Sequence, residues 1–206
     1  MGLNGFGGQC GVLLVLSLCA LGLALSTSAA VAQMEFKVGP VAEKKVTELP
    51  VGPLYWQIEN FPTRAEAEAA AGPLSLAAEA DGKAWLFTLG PEGAPTHGGT
   101  VVAEVGPLKE VTAPEYLLSI REGVAPTGAK TMIHTHPGTE AFYVVEGQLS
   151  FRTSAGVDVV DEGKSLAGVA PDTPMEASST GPADLHELIM FVVDPAKRFS
   201  SPAVLE

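Results

Sequence analysis

The feature that most constrains the fold is a regular alternation of short apolar runs with glycine- and proline-rich turns after residue 32. Runs of this length are typical of β-strands, and turns of this composition connect strands that pair with one another. The chain has 23 glycines and 16 prolines among its 206 residues, enough to supply many such turns. The pattern therefore predicts an all-β fold, either a sandwich or a barrel.

One hairpin is predicted with particular clarity. Residues 74–80 and 83–89 flank Asp81-Gly82, a dipeptide that favours a type I′ turn because both of its residues tolerate positive φ. This hairpin falls in the first half of the chain. We predict that residues 33–112 form an N-terminal extension with strands and one short helix, and that residues 113–206 form the main β domain.

The short helix of this extension is predicted from its ends. Thr63 is followed three residues later by Glu66, which is the spacing of a capping box. In that motif the Thr63 hydroxyl accepts from the Glu66 backbone N–H. The alanine-rich run that follows favours a helix, and Gly72-Pro73 ends it.

The first 32 residues contain no Lys, Arg, Asp or Glu. Residues 11–25 form a 15-residue apolar run, which is shorter than the about 20 residues that a membrane span needs and fits the core of a secretory signal peptide. Ala30-Val31-Ala32 supplies the small residues expected before a cleavage site. We predict a signal peptide over residues 1–32 and an exported protein, periplasmic or secreted, with no stable membrane span after cleavage. The segment lacks a basic residue, so a retained anchor is the alternative.

Charge and cysteine content exclude several classes of partner and site. Twelve basic residues against 24 acidic ones give a formal net charge of −12, which argues against a nucleic-acid partner and against docking on anionic lipid. The two cysteines, Cys10 and Cys19, both lie within the predicted signal peptide. The mature protein is therefore expected to have no disulfide, no thiolate metal site and no cysteine nucleophile.

A cluster of histidines and one carboxylate is the main candidate site. His134 and His136 are two residues apart, so on a strand both imidazoles project to the same face. Pro137-Gly138 then turns the chain, and Glu140 follows just before the next apolar run. Two imidazoles and a carboxylate suit a divalent transition metal: Fe, Mn, Cu, Ni or Zn.

The spacing around this cluster resembles a known motif. The pattern is Gly128-x5-His134-x-His136-x3-Glu140-x6-Gly147. It is similar to the first motif of the cupin superfamily. The resemblance, which covers roughly residues 124–181, implies a cupin-type double-stranded β-helix, or jelly-roll barrel. It also implies that the two histidines and Glu140 are metal ligands inside the barrel, and that the protein is a homodimer.

The second cupin motif is degenerate in this sequence. Residues 170–181 fit its register, but Met175 stands where a histidine ligand is expected and Ser179 where asparagine is expected. Three interpretations of Met175 follow. The two histidines and Glu140 form an open triad by themselves, or the Met175 thioether is a further ligand and favours copper, or Met175 is an apolar filler and the site holds no metal.

The same strand alternation predicts the surroundings of the cluster. Met132, Phe142 and Val144 share the parity of the ligands and are expected to line an apolar cavity. Tyr143 has the opposite parity and is expected to pack outside it. His186, on the apolar run that resembles a closing barrel strand, is expected to be partly exposed rather than inside the cavity.

Three functions fit this sequence. The first is a metal-dependent, dioxygenase-like enzyme that acts on a small organic molecule. The second is a non-catalytic metal- or ligand-binding protein of the cell envelope, which the degenerate second motif favours. The third is a structural or dimerising module. The fold alone does not choose among them, because function depends on the site that the fold supports.

Overall fold

The computed structural model describes residues 35–206. The predicted signal peptide, with both cysteines, lies outside the described residues. Residues 35–206 lie within one compact unit. Within the described part of the chain, no helix combines the length and the apolar character that crossing a membrane requires.

The regular secondary structure of residues 35–206 consists of strands and one short helix, so the predicted all-β fold is confirmed. In chain order the elements are β1 (Lys37–Val46), β2 (Tyr55–Phe61), α1 (Arg64–Ala70), β3 (Ser75–Ala80), β4 (Lys83–Gly90), β5 (Thr100–Val105), β6 (Tyr116–Ala125), β7 (His134–Thr135), β8 (Gly138–Glu146), β9 (Gln148–Thr153), β10 (Gly156–Asp161), β11 (Ser165–Leu166), β12 (Glu176–Ser179), β13 (Leu185–Val193) and β14 (Ser201–Pro202).

The predicted helix and hairpin are both present. The hairpin strands β3 and β4 belong to a four-stranded antiparallel sheet of order β3-β4-β2-β5. The hydroxyl of Thr63 accepts from the Glu66 backbone N–H at 3.2 Å, which caps α1 as the motif predicts. Asp81 and Gly82 connect β3 to β4 with φ values of 51° and 63°. These two positive values identify the expected type I′ turn.

Two further antiparallel sheets pack face to face. A five-stranded sheet has the order β1-β6-β13-β8-β11, and a three-stranded sheet has the order β10-β9-β12. Their facing side chains form one buried core, which includes Phe142 and Ile189 from the first sheet and Leu149, Phe151 and Ala177 from the second. This packing of antiparallel sheets is the jelly-roll arrangement that the sequence predicts, although the two sheets are not joined by strand pairing.

Strand β13 is the centre of the molecule, and both of its faces are buried. Leu188, Met190 and Val192 pack into a second core, shared with the tryptophans and Phe87 of the four-stranded sheet. Ile189 and Phe191 instead face the core between the two jelly-roll sheets. Burial on both faces explains why residues 185–193 are almost uniformly apolar.

Some strands differ from the sequence prediction. The strands expected near 130–136 and 164–170 each contain only two paired residues, in β7 and β11. Met132 lies before β7 and is 81% exposed, so the prediction that it lines the cavity is wrong. A bend at Ile133 interrupts the strand alternation, and Thr131 lines the cavity instead.

Strand β1 joins the five-stranded sheet although it belongs by sequence to the predicted extension. It pairs with β6 along its length, from Lys37 opposite Val124 to Val46 opposite Tyr116. The first strand of the described chain therefore completes the sheet that holds β13, and it contributes Val38 to the cavity described next.

Candidate functional site

A cavity of about 180 Å³ lies between the two jelly-roll sheets, and all four predicted site residues line it. Aromatic and aliphatic side chains form the rest of the cavity wall around His134, His136, Glu140 and Met175. The wall includes Phe36, Phe142, Phe151, Ile189, Phe191 and Phe199. Val144 is buried in the same core but does not line the cavity, so that part of the prediction is wrong. Tyr143 packs outside the cavity against Trp85, as predicted.

The two histidines point their Nε2 atoms at each other across 3.1 Å. Each imidazole is fixed from behind by a backbone carbonyl. His134 Nδ1 lies 2.8 Å from the carbonyl oxygen of Met132, and His136 Nδ1 lies 2.6 Å from that of Phe199. The orientation of the two rings is therefore set by backbone carbonyl groups, one just before β7 and one just before β14.

These contacts determine which ring nitrogens carry protons. A carbonyl oxygen only accepts hydrogen bonds, so both Nδ1 atoms donate. In the neutral rings each Nε2 atom then has a lone pair, and the two lone pairs of His134 and His136 face each other. Such a contact is repulsive unless a proton or a metal ion lies between the nitrogens. Metal-binding histidines usually donate their second N–H in this way.

Glu140 lies beside the pair and is fully buried. Its Oε2 is 3.8 Å from Nε2 of His136, and its Oε1 has no hydrogen-bond partner among residues 35–206. Desolvation, and secondarily the charge of Glu187, raises the pKa of Glu140 to about 8. Desolvation lowers the pKa of His136 to about 4. At pH 7 both groups are therefore neutral in the metal-free protein, and their contact is not an ion pair.

The donor set fits a divalent transition metal in part. Two lone-pair nitrogens and a carboxyl oxygen without a partner are ligands that such ions accept. Within residues 35–206, however, no group of three His, Cys, Asp or Glu side chains is arranged to hold a metal. A ligand role for His134, His136 and Glu140 therefore remains a prediction.

Met175 lines the cavity next to β7. It is 2% exposed, and its backbone exchanges two hydrogen bonds with His134, at 2.9 and 3.0 Å. The substitution of methionine for the expected histidine thus places an apolar, adaptable side chain in the cavity. Its role as a ligand also remains a prediction.

Two charged residues of the cavity were not identified from the sequence. Glu187 on β13 is fully buried, and desolvation raises its pKa to about 8. Arg121 on β6 stacks its guanidinium carbon 3.8 Å from the ring centre of Phe199 and binds Glu43 at 3.3 Å. The sequence does carry a signal for Glu187, because it is an acidic residue inside an apolar run. On a strand its side chain projects to the same face as that of Ile189.

His186 lies away from the cavity. Its Nε2 is 2.7 Å from Oε1 of Glu122, and its Nδ1 is 3.6 Å from Oδ1 of Asp81. The side chain is 16% exposed. These contacts link β13 and β6 to the turn of the β3–β4 hairpin, and they explain the position of His186 without a metal.

Comparisons with known proteins gave matches among solved structures alone. No protein-family model matches the sequence, and no curated protein matches it significantly. A DMSP lyase from Ruegeria pomeroyi is 15% identical with a TM-score of 0.37, over 42% of this chain and 43% of the other. A cupin-like protein from Thermotoga maritima is 15% identical with a TM-score of 0.38, over 42% of this chain and 64% of the other.

A polyketide cyclase from Streptomyces resistomycificus is 14% identical with a TM-score of 0.37, over 43% of this chain and 62% of the other. These matches span less than two thirds of the solved chains. Several of the similar structures are described as cupin or cupin-like proteins.

Proposed function

We propose that this protein binds a divalent transition metal through His134 and His136 and acts as a metal-dependent enzyme on a small organic molecule held in the cavity. The observation that carries the proposal is the 3.1 Å approach of two Nε2 atoms whose Nδ1 atoms are both committed to backbone carbonyls. An ion bound there relieves the repulsion between the two lone pairs. No other pair of histidines among residues 35–206 has this arrangement.

The chain's own residues prepare the site in three ways. The carbonyls of Met132 and Phe199 hold the imidazoles in the tautomer that leaves Nε2 free. The aromatic wall surrounds the site with apolar groups, and a less polar environment strengthens electrostatic interactions. Glu140 stores a proton near the pair and must release it to become an anionic ligand. When bound, the metal supplies Lewis-acid chemistry or, if it is iron or copper, chemistry with O₂.

A second candidate is a non-catalytic metal- or ligand-binding protein. Met175 in place of the expected histidine favours it, because the site then has fewer strong protein ligands than a complete cupin-type set. The same cavity and histidine pair support both candidates. The two therefore differ in turnover and not in binding.

Metal binding is tested with matched histidine variants. The metal-free wild type, His134→Ala and His97→Ala are titrated with Zn²⁺ in competition with a chromophoric chelator. His97 is the control because it lies outside the cavity. We expect the affinity to fall by at least about 100-fold in His134→Ala, since a direct ligand matters more than an outer-shell partner, and to be unchanged in His97→Ala. Equal affinities in all three proteins would contradict the proposal.

Turnover separates the two candidates. Wild type and His134→Ala, each incubated with Fe²⁺, Mn²⁺, Cu²⁺, Ni²⁺ or Zn²⁺, are screened for O₂ uptake and for conversion of small organic compounds. Conversion by the wild type alone supports the enzyme. Tight binding of a compound without conversion supports the non-catalytic protein.

A further inference from the structure

Glu187 is the least satisfied polar residue of the cavity. Its side chain is completely buried on the central strand β13, and both of its carboxyl oxygens lack a hydrogen-bond partner among residues 35–206. Burying a carboxyl group without partners is unfavourable in any protein. Such groups are rare in native structures, and each one calls for an explanation, such as a catalytic role or a water, ion or ligand that completes its hydrogen bonds.

The backbone opposite Glu187 makes room for this side chain. Gly123 on β6 is its direct partner across the sheet. A Cβ atom at position 123 would lie 2.9 Å from Cγ and 3.0 Å from Oε1 of Glu187, closer than side chains pack. Glycine at 123 therefore allows the carboxyl group to lie over the sheet and face the cavity.

The rest of the cavity is suited to a small apolar body. Its volume of about 180 Å³ is slightly larger than the about 150 Å³ of an apolar cavity that holds benzene. Phe142 and Phe151 form one aromatic pair of its wall, with ring centres 5.0 Å apart, and Phe191 and Phe199 form another at the same separation. A ring-sized ligand can thus contact aromatic side chains while one polar group reaches Glu187.

We propose that Glu187 recognises a hydrogen-bond donor, the hydroxyl or ammonium group of a small alcohol or amine whose apolar body packs against the phenylalanines. Both groups donate to a carboxyl oxygen, and an ammonium also carries the charge opposite to that of Glu187 when this carboxyl group is deprotonated. This inference deepens the proposed function because it names the class of molecule that shares the cavity with His134 and His136. It assigns Glu187 to the ligand and not to the metal.

The test uses probes of equal size. Benzyl alcohol and benzylamine carry a donor, whereas ethylbenzene has the same shape without one. Dissociation constants are measured by ligand-observed NMR for the full chain as wild type, Glu187→Met and Glu187→Gln. Glu176→Met is the control, since Glu176 is also buried but binds Arg152 and does not line the cavity.

The wild type and Glu176→Met should bind benzyl alcohol about fivefold more tightly than ethylbenzene, as expected for one net hydrogen bond. In Glu187→Met the preference should reverse, because an apolar site favours the more hydrophobic probe. Glu187→Gln separates charge from hydrogen bonding. If this variant still prefers benzyl alcohol over ethylbenzene but no longer prefers benzylamine, the amine is recognised by its charge. If it still prefers both donor probes over ethylbenzene, both are recognised by neutral hydrogen bonds.

Two results would overturn the inference. One is a wild type that binds ethylbenzene as tightly as either donor probe. The other is a Glu187→Met variant that retains the donor preference or loses Zn²⁺ binding, which would make Glu187 a metal ligand. Zinc titration of the same samples keeps the two proposals distinguishable. If His134→Ala alone loses zinc while the probes show no preference, the metal site stands and the role of Glu187 is rejected.

Discussion

Two buried glutamates lie in different parts of this molecule and differ in how they are satisfied. Glu59 on β2 and Glu187 on β13 are both 0% exposed. The carboxylate of Glu59 accepts the backbone N–H groups of His97 and Gly99, each at 3.1 Å. Glu187 has no partner among residues 35–206. Burial by itself therefore says little about function, whereas an unfilled hydrogen-bonding capacity beside a cavity does.

The surroundings of Glu59 show what a structural carboxylate requires. It lies at an irregularity in the pairing of β2 with β5, where the chain before β5 comes close to β2. A Cβ atom at Gly99 would lie 2.8 Å from the carbonyl oxygen of Asn60, so glycine permits this approach. Glu59 thus holds the β4–β5 loop in place, and the local backbone is adapted to it. Around Glu187 the backbone is adapted to leave space.

The first prediction has the largest expected effect on the comparison of Glu59 with Glu187. We expect the free energy of unfolding to depend on pH. In the metal-free protein the pKa values of Glu140 and Glu187 are raised to about 8 from 4.5. Between pH 4.5 and 8 the native state therefore holds protons that the unfolded state has already lost, and stability falls as the pH rises through this range. His136 has a pKa lowered from 6.5 to about 4, so its contribution increases only up to about pH 6.5.

We expect the free energy of unfolding to fall by roughly 3 kcal/mol from pH 6.5 to pH 8. Glu187→Met should remove about half of this fall or more, because it also removes the charge that raises the pKa of Glu140. Urea unfolding of chelator-treated samples at the two pH values measures it. A wild type whose stability is flat or rising over this range would show that the two carboxyls are not protonated in the native state.

The second prediction concerns the satisfied glutamate. Glu59→Ala leaves the N–H groups of His97 and Gly99 without their acceptor, and we expect a loss of about 2 kcal/mol in the free energy of unfolding. Denaturant unfolding at pH 6.5 measures it, with the exposed Glu79→Ala as the control that should stay within about 0.5 kcal/mol of wild type. Equal effects of the two substitutions would remove the structural role given to Glu59.

The smallest effect has the opposite sign. Glu187→Met replaces a carboxyl group without partners by an apolar side chain of similar length, so at pH 6.5 we expect a gain of about 1 kcal/mol in the free energy of unfolding. Thermal and urea unfolding of the metal-free protein measure the change. A clear destabilisation would mean that Glu187 makes a contact essential for folding and is not kept for a ligand.

Local sequence patterns predicted the local structure well. The capping box at Thr63 and the turn at Asp81-Gly82 depend on a few neighbouring residues, and both formed as expected. Strand alternation placed Phe142 in the cavity and Tyr143 outside it, because β8 alternates regularly at these two residues. The pairing of β8 with β13 becomes irregular only beyond Val144. The same rule failed at Met132, where a bend before β7 interrupts the alternation.

Long-range pairing was the part that the sequence did not reveal. Strand β1 contains Glu43, Lys44 and Lys45 among its apolar residues, so it lacks a clean alternation, and its partner β6 is distant in sequence. The role of Glu187 depends on Gly123 across the sheet, a relation visible only once the two strands are paired. The four predicted site residues share one cavity, but their spacing alone could not provide its phenylalanine wall.

The hydrogen bond between Phe199 and His136 makes the site depend on a segment outside the main sheets. The Phe199 carbonyl orients His136, and just beyond it β14 pairs with β7 while the N–H of Ala203 donates to the carbonyl of Ile133. This β7–β14 pair is a sheet of its own and shares no strand with the two jelly-roll sheets. A substitution confined to residues 199–203 can therefore change the orientation of His136 while the pairing of both jelly-roll sheets stays intact.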